Sequence, residues 1–371
     1  MNAFFSLFPL VFGPLLVTAL AIPSIKRLAW RLDLVDRPGS GAHKSHERPI
    51  PYGGGLSIFL GLAVALALVS SAWVQALLAE SESAWGLGLL FLVREWSRHL
   101  SWLSFLLAGG LGLLFVGLLD DWRGLPPLPR FVVQLAVIAA LVASVPACRL
   151  ALFPGFPFLD LALTVLWIGA MTNAFNFLDN MDGLSAGIAA IALVFLSFMA
   201  LLSGEPALAV PGLALFGALC GFLLYNLPPA SIFMGDAGGL FLGFFTSSMA
   251  VVLSQTTAHA TLYSGLQLAP LLVLSVPVYD FLSVNLIRLR NGAPPWRGDK
   301  NHVSHRLVRL GLSRRNAVLA MYLATLLTGL PALLDLRPGG RVEWLLAVPA
   351  FLAVVALIDH RVYRRPPLPP S

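Results

Sequence analysis

The sequence predicts an all-α, polytopic integral membrane protein with about 11 transmembrane helices, its N-terminus outside and its C-terminus cytoplasmic. Three observations carry that prediction. The 371-residue chain is 58% hydrophobic and only 11% charged, whereas soluble domains carry about 25% charged residues. Apolar stretches long enough to cross a bilayer, about 20 residues each, recur along its whole length. The basic residues also fall on alternate connections, 19 of the 24 Lys and Arg on one side, and that bias sets orientation.

In chain order, the apolar runs lie near 3–23, 53–74, 101–119, 131–149, 158–178, 184–203, 207–227, 238–256, 264–287, 316–335 and 342–360. The first has no basic leader and no small-residue cleavage site, so it reads as a retained span. Residues 84–93 are too short to span; with Trp85, Trp96 and Trp102 they read as an interfacial loop. The N-out arrangement makes segments 24–52, 120–130, 179–183, 228–237, 288–315 and 361–371 cytoplasmic. The net charge of +6 then reflects orientation and attraction to anionic headgroups, not nucleic acid. Cys148 and Cys220 lie in or beside apolar runs, without zinc spacing or a disulfide framework. No soluble domain interrupts the pattern, so residues 1–371 read as a single transmembrane unit.

Five polar clusters share the cytoplasmic face. The first, residues 35–55, holds Asp36, His43, Lys44, His46 and Arg48 before Gly53, Gly54 and Gly55 open a helix. Glycines at a helix start let backbone N–H groups approach phosphate, and the basic side chains add charge; an ordinary positive-inside loop is the plainer alternative. The second is the doublet Asp120 and Asp121, directly after an apolar span, which suits a divalent cation or a base. The third is the stretch 173–187. Asn173, Asn176, Asp179 and Asp182 recur every third residue, and Gly183 follows. A helix would line these four side chains along one drifting stripe, and polar groups at a membrane boundary are costly unless they bind something.

The fourth cluster is Gly235, Asp236 and Gly238, where a carboxylate at a helix start suits Mg²⁺ or serves as a cap. The fifth, residues 298–307, contains His302, His305 and Arg306, read as phosphate or sugar contacts rather than metal ligands. Asp280, inside the ninth run, is either a site residue or a packing contact. Hard oxygen ligands beside cationic donors describe Mg²⁺-assisted chemistry on phosphates. A site at the bilayer surface suits one water-soluble and one lipid substrate. The residues alone therefore reach phosphotransfer between a nucleotide compound and a lipid, without identifying the donor.

In this order the clusters resemble the polyprenyl-phosphate N-acetylhexosamine-1-phosphate transferases, of glycosyltransferase family 4 type. That family holds the undecaprenyl-phosphate N-acetylglucosaminyl-1-phosphate transferases and phospho-N-acetylmuramoyl-pentapeptide transferase. The resemblance implies transfer of a sugar-1-phosphate, GlcNAc-1-phosphate first among candidates, from a UDP-N-acetylhexosamine to undecaprenyl phosphate, with release of UMP. It implies an enzyme of the bacterial inner membrane, Mg²⁺ as cofactor with Mn²⁺ as a substitute, the opening membrane step of a cell-envelope polysaccharide, and a possible homodimer.

Carried over residue by residue, it makes Asp236 the leading Mg²⁺ ligand, with Asn176. Asp120, Asp121, Asp179 and Asp182 become the catalytic acids. Lys44, His46, Asn173, Asn176, Gly183, His302, His305 and Arg306 become substrate contacts. Three positions depart from the family pattern: Asn180 stands where glycine is usual, Gly239 where serine is usual, and Ser304 where a middle histidine is usual. The last argues against the muramoyl-pentapeptide branch. Two other classes compete. A CDP-alcohol phosphotransferase shares Asp182, Gly183 and Ala186, but Gly187 replaces its arginine. A secondary transporter would place its acids nearer the midplane and show two related halves.

Overall fold

The computed structural model describes residues 7–38, 48–71, 74–75, 79–80, 84–98, 100–153, 155–260, 268–335 and scattered positions from 346 to 356. It is an all-α membrane bundle, with eight described helices long and apolar enough to cross a bilayer. The helices are α1 (Phe8–Arg31), α2 (Gly54–Ser70), α3 (Ala84–Arg98), α4 (Leu100–Arg123), α5 (Pro127–Ser144), α6 (Pro157–Leu178) and α7 (Leu184–Leu202). They continue as α8 (Pro206–Asn226), α9 (Gly235–Ala260), α10 (Ala269–Leu272), α11 (Ser275–Arg290), α12 (Val303–Arg309) and α13 (Arg314–Asp335). A two-stranded antiparallel ladder, β1 (Val35–Asp36) with β2 (Ile50–Pro51), follows α1.

The expected spans near 101–119, 131–149, 158–178, 184–203, 207–227, 238–256 and 316–335 each coincide with a long helix. Three expectations change. Residues 84–93 are not a loop: α3 is a helix whose Leu89, Leu90, Leu92 and Val93 are buried. A short apolar stretch that cannot span can still pack, and α3 lies against α8. The run 264–287 is not one continuous helix within the described residues. A short α10 ends at Leu272 and α11 restarts at Ser275. Pro277 then falls in the first turn of α11, where its missing N–H costs nothing. The run 53–74 forms the 17-residue α2. Most of the last run, 342–360, lies outside the described residues, as do Lys44 and His46.

Helix α9 is the axis of the bundle. Its apolar window is wholly buried, while those of α1 and α5 are mostly exposed, as lipid-facing helices are. It packs against α2, α4, α6 and α7. Small residues permit this crowding, because without a hydrophobic drive between helices close backbone approach supplies the packing energy. A Cβ on Gly117 of α4 would strike the Ala237 backbone, and one on Gly55 of α2 would strike Gly238. These contacts bring three helix ends together beside Asp236. Backbone at that spot cannot yield, so Gly117→Val is expected to cost about 3 kcal/mol through overpacking. A lower unfolding temperature in detergent, with loss of the monodisperse peak in gel filtration, is the measurement.

Candidate active site

The acid doublet does not sit in a loop. It forms the last turn of α4, which Gly124 closes in the left-handed region (φ 63°). The two carboxylates point to different tasks. Asp121 accepts the backbone N–H groups of Asp236 (2.8 Å) and Ala237 (3.1 Å). It thus caps α9 from a separate helix, satisfying donors that the helix start leaves unpaired. Asp120 is buried and accepts from Leu125 N (2.6 Å) and from Arg130.

Arg130, in the first turn of α5, bridges the cluster. Its Nη1 donates to Asp120 and also to Asp236 Oδ2 (2.9 Å). Sequence reasoning missed it, treating it only as one positive charge in a cytoplasmic segment. The spacing from the doublet was the available signal, but only the turn between α4 and α5 folds it back. Asn176, on the last turn of α6, completes the group by donating to Asp236 Oδ1 (2.6 Å).

The 173–187 stretch is not one helical stripe. Helix α6 stops at Leu178, Asp179 is its C-cap, and Gly183 (φ 75°) opens α7. The side chains therefore diverge. Asn173 lies a turn deeper, donating to Gln134 Oε1 (3.1 Å) and Gly169 O (2.8 Å) in the seam between α6 and α5. Asp182 accepts from Ala230 N (2.9 Å) and so holds the loop leading to Asp236. Gly183 donates its N–H to Asn226 Oδ1 (2.9 Å). Asp179 stays half-buried near the cluster. Burial, then the charges of Asp236 and Asp182, push its carboxyl up to about 7, so neutral pH holds both of its forms.

The first loop joins this group through backbone pairing. Phe233 N donates to Pro51 O (2.9 Å), and Gly54 N returns to Phe233 O (2.9 Å). Tyr52 thereby reaches the acids. Its phenol is pushed above its ordinary range by burial, then by Asp36, Asp121 and Asp236. Its ring lies 6.4 Å from Phe233. Tyr52 is a second residue that sequence reasoning passed over.

The histidine segment is braced from beneath. Asp280, fully buried, accepts Val303 N (2.7 Å) and pairs with His302 Nδ1 (2.7 Å). Its role is to set the start of α12. Arg306 was expected on substrate; it is 1% exposed, donating to Asn301 O (2.6 Å) and Ser283 Oγ (2.7 Å). Arg288 bonds Asp299 (2.9 Å) and lies over the Phe177 ring (5.0 Å). His305 is neutral at pH 7. Burial lowers it to about 4, helped by the neighbouring His302, Lys300, Arg314 and Arg309.

The donor set can be tested against a metal. Asp120, Asp236 and Asn176 present two carboxylates and an amide in one hydrogen-bonded group. Among the described residues no three His, Cys, Asp or Glu side chains form a cage. Mg²⁺ takes one or two carboxylates, keeps waters and completes its shell with substrate phosphates, so two carboxylates and an amide are chemically compatible with it.

Comparison with known proteins gives the family. The model of glycosyl transferase family 4 matches residues 103–254, the stretch from α4 into α9. A Bacillus subtilis protein named as a probable undecaprenyl-phosphate N-acetylglucosaminyl 1-phosphate transferase is 32% identical over 83% of this chain and 79% of its own. The decaprenyl-phosphate N-acetylglucosaminephosphotransferase of Mycolicibacterium smegmatis is 34% identical over 83% of this chain and 77% of its own. An undecaprenyl-phosphate alpha-N-acetylglucosaminyl 1-phosphate transferase of Yersinia pestis is 26% identical over 91% and 87%. The chain belongs to the polyprenyl-phosphate N-acetylhexosamine-1-phosphate transferase family. It is a membrane-bound transferase.

Within this transferase, one departure from the family pattern has a direct steric reason. A Cβ on Gly239 would lie 2.8 Å from the Asn176 Cα. The glycine lets α6 approach α9 closely enough for Asn176 to reach Asp236.

Two outcomes follow from the charges. Arg130→Met leaves Asp120 and Asp236 facing each other unneutralised, a loss of about 3 kcal/mol. Adding Asp120→Asn should restore part of it, read as unfolding temperature in lipid nanodiscs. For His305, the unfolded chain binds protons from pH 6.5 downward while the folded chain does so only near 4. Its contribution is thus complete above pH 6.5 and is lost as pH falls toward 4. In His305→Gln the drop in unfolding temperature between pH 7.5 and pH 5 should shrink by about 2 °C.

Proposed function

We propose that the transferase moves N-acetylhexosamine-1-phosphate, most simply GlcNAc-1-phosphate, from a UDP-sugar to undecaprenyl phosphate, releasing UMP. The observation that carries this reading is the hydrogen-bonded group of Asp120, Arg130, Asp236 and Asn176, where four helix ends meet. Carboxylate oxygens, an amide N–H, a guanidinium and the start of α9 converge there. Such a group suits two phosphate-bearing substrates and little else. The basic bias of the connections supports a cytoplasmic position for this end, in the inner membrane of a bacterium.

The chemistry is one in-line displacement. An oxygen of the lipid phosphate forms a bond to the β-phosphorus, and the bond from that phosphorus to the UMP oxygen breaks. The lipid phosphate has a second pKa of about 6 and is largely ionised already, so little base is needed. Asp236, with Asp120 and Asn176, would hold Mg²⁺, or Mn²⁺ in its place, which supplies positive charge to the diphosphate. Arg130 sits where it can take up charge on the phosphates as they enter. Asp121 acts through Asp236 by capping α9. Asp182 and Asp179 line the adjoining turn, and Asp179 can donate as well as accept. Lys44 and His46 are assigned to the substrates by resemblance alone. The alternative two-step route would pass through an aspartyl-phosphate on Asp120 or Asp179.

The test is a proteoliposome assay with Mg²⁺, undecaprenyl phosphate and a panel of UDP-N-acetylhexosamines, reading UMP. Wild type should release UMP with at least one donor, and Asp236→Asn should fall by a factor of about 100 or more. UMP release unaffected by Asp236→Asn, or absent with every donor, would overturn the proposal.

A further inference from the structure

Two of the three departures from the family pattern touch each other. Ser304 Oγ donates to Asn180 Oδ1 at 2.7 Å, across 124 residues of chain. Asn180 Nδ2 donates to Phe177 O at 2.8 Å, so its amide orientation is set and its oxygen must face the hydroxyl. Ser304 is completely buried in the first turn of α12. Around the pair, the Phe177 ring stacks on Phe281 (5.8 Å) and meets the edge of His302 (6.1 Å). The bond thus joins the turn carrying Asp179 and Asp182 to the segment carrying His302 and His305. Asp280 bonds the same first turn through Val303 N.

We infer that Asn180 and Ser304 act as one positioning unit, which sets the spacing between the Asp179–Asp182 turn and the His302–His305 segment and so shapes the space between them for the UDP-sugar. Neither residue is assigned to the reacting atoms. The kinetic consequence rests on the transferase reading above; the coupling does not.

Two measurements keep these apart. The first is a stability cycle of Asn180→Gly, Ser304→Ala and the double variant, read as thermal unfolding in nanodiscs. Contacting residues couple by a factor of about 10, so the double variant should lose clearly less than the two single losses summed. Strict additivity would overturn the pairing, whatever the enzyme does. The second is kinetic. Asn180→Gly and Ser304→Ala should each raise KM for the UDP-sugar by about tenfold while kcat changes less, and Ser304→Thr, which keeps the hydroxyl, should stay near wild type. A KM as high in Ser304→Thr as in Ser304→Ala, or a loss of kcat as large as the rise in KM, would sink the positioning role. A wild type silent toward every UDP-sugar would refute the proposed function and leave the stability cycle to decide the pairing.

Discussion

Three carboxylates share one small volume at the end of this bundle, and the architecture around them exists to make that tolerable. Asp120, Asp121 and Asp236 would repel one another strongly in so dry a place. Two devices offset this. The start of α9 presents its unpaired N–H groups to Asp121, and Arg130 lies between Asp120 and Asp236. Each device requires a neighbouring helix at close range. Gly55, Gly117 and Gly238 provide that range, because any larger residue would push α2, α4 and α9 apart.

The remaining polar residues read as supports for this centre rather than equal members of it. Asp182 holds the loop before Asp236, Asn226 receives the N–H of Gly183, and Asp280 sets the start of α12. Buried polar groups that bond their neighbours in this way rigidify a site, and their cost falls only when every member is satisfied. The outer layer of helices carries no such burden: α1 and α5 turn mostly apolar surface outward, as a bilayer requires.

Much of the candidate site was legible because charge is so scarce in this chain. In an apolar background Asp120, Asp121, Asp179, Asp182 and Asp236 stand out without any structural information. What could not be read was direction. Adjacent residues on a helix diverge by about 100°, so Asp120 and Asp121 part company although the sequence presents them as a doublet. Asn173 and Asn176 share a helix face in projection, yet one bonds Gln134 in a packing seam and the other bonds Asp236. Arg306 looked like a substrate ligand by type and position, but burial made it a brace. Arg130 and Tyr52 were overlooked because nothing in a linear chain marks a lone basic or aromatic residue as facing an acid cluster.

Composition, apolar run length and the order of the polar clusters were enough to establish an α-helical membrane protein and its family, since bilayer thickness and backbone satisfaction leave few alternatives. They located most of the long helices and singled out the polar clusters. The tertiary structure alone decided which helix lies at the axis, where the 264–287 run breaks, which carboxylate caps α9 and which pairs with Arg130, and that Asn180 and Ser304 meet. Those outcomes depend on contacts between residues far apart in the chain. Local sequence encodes periodicity and propensity, and the partner across a helix interface is set only when the whole bundle packs.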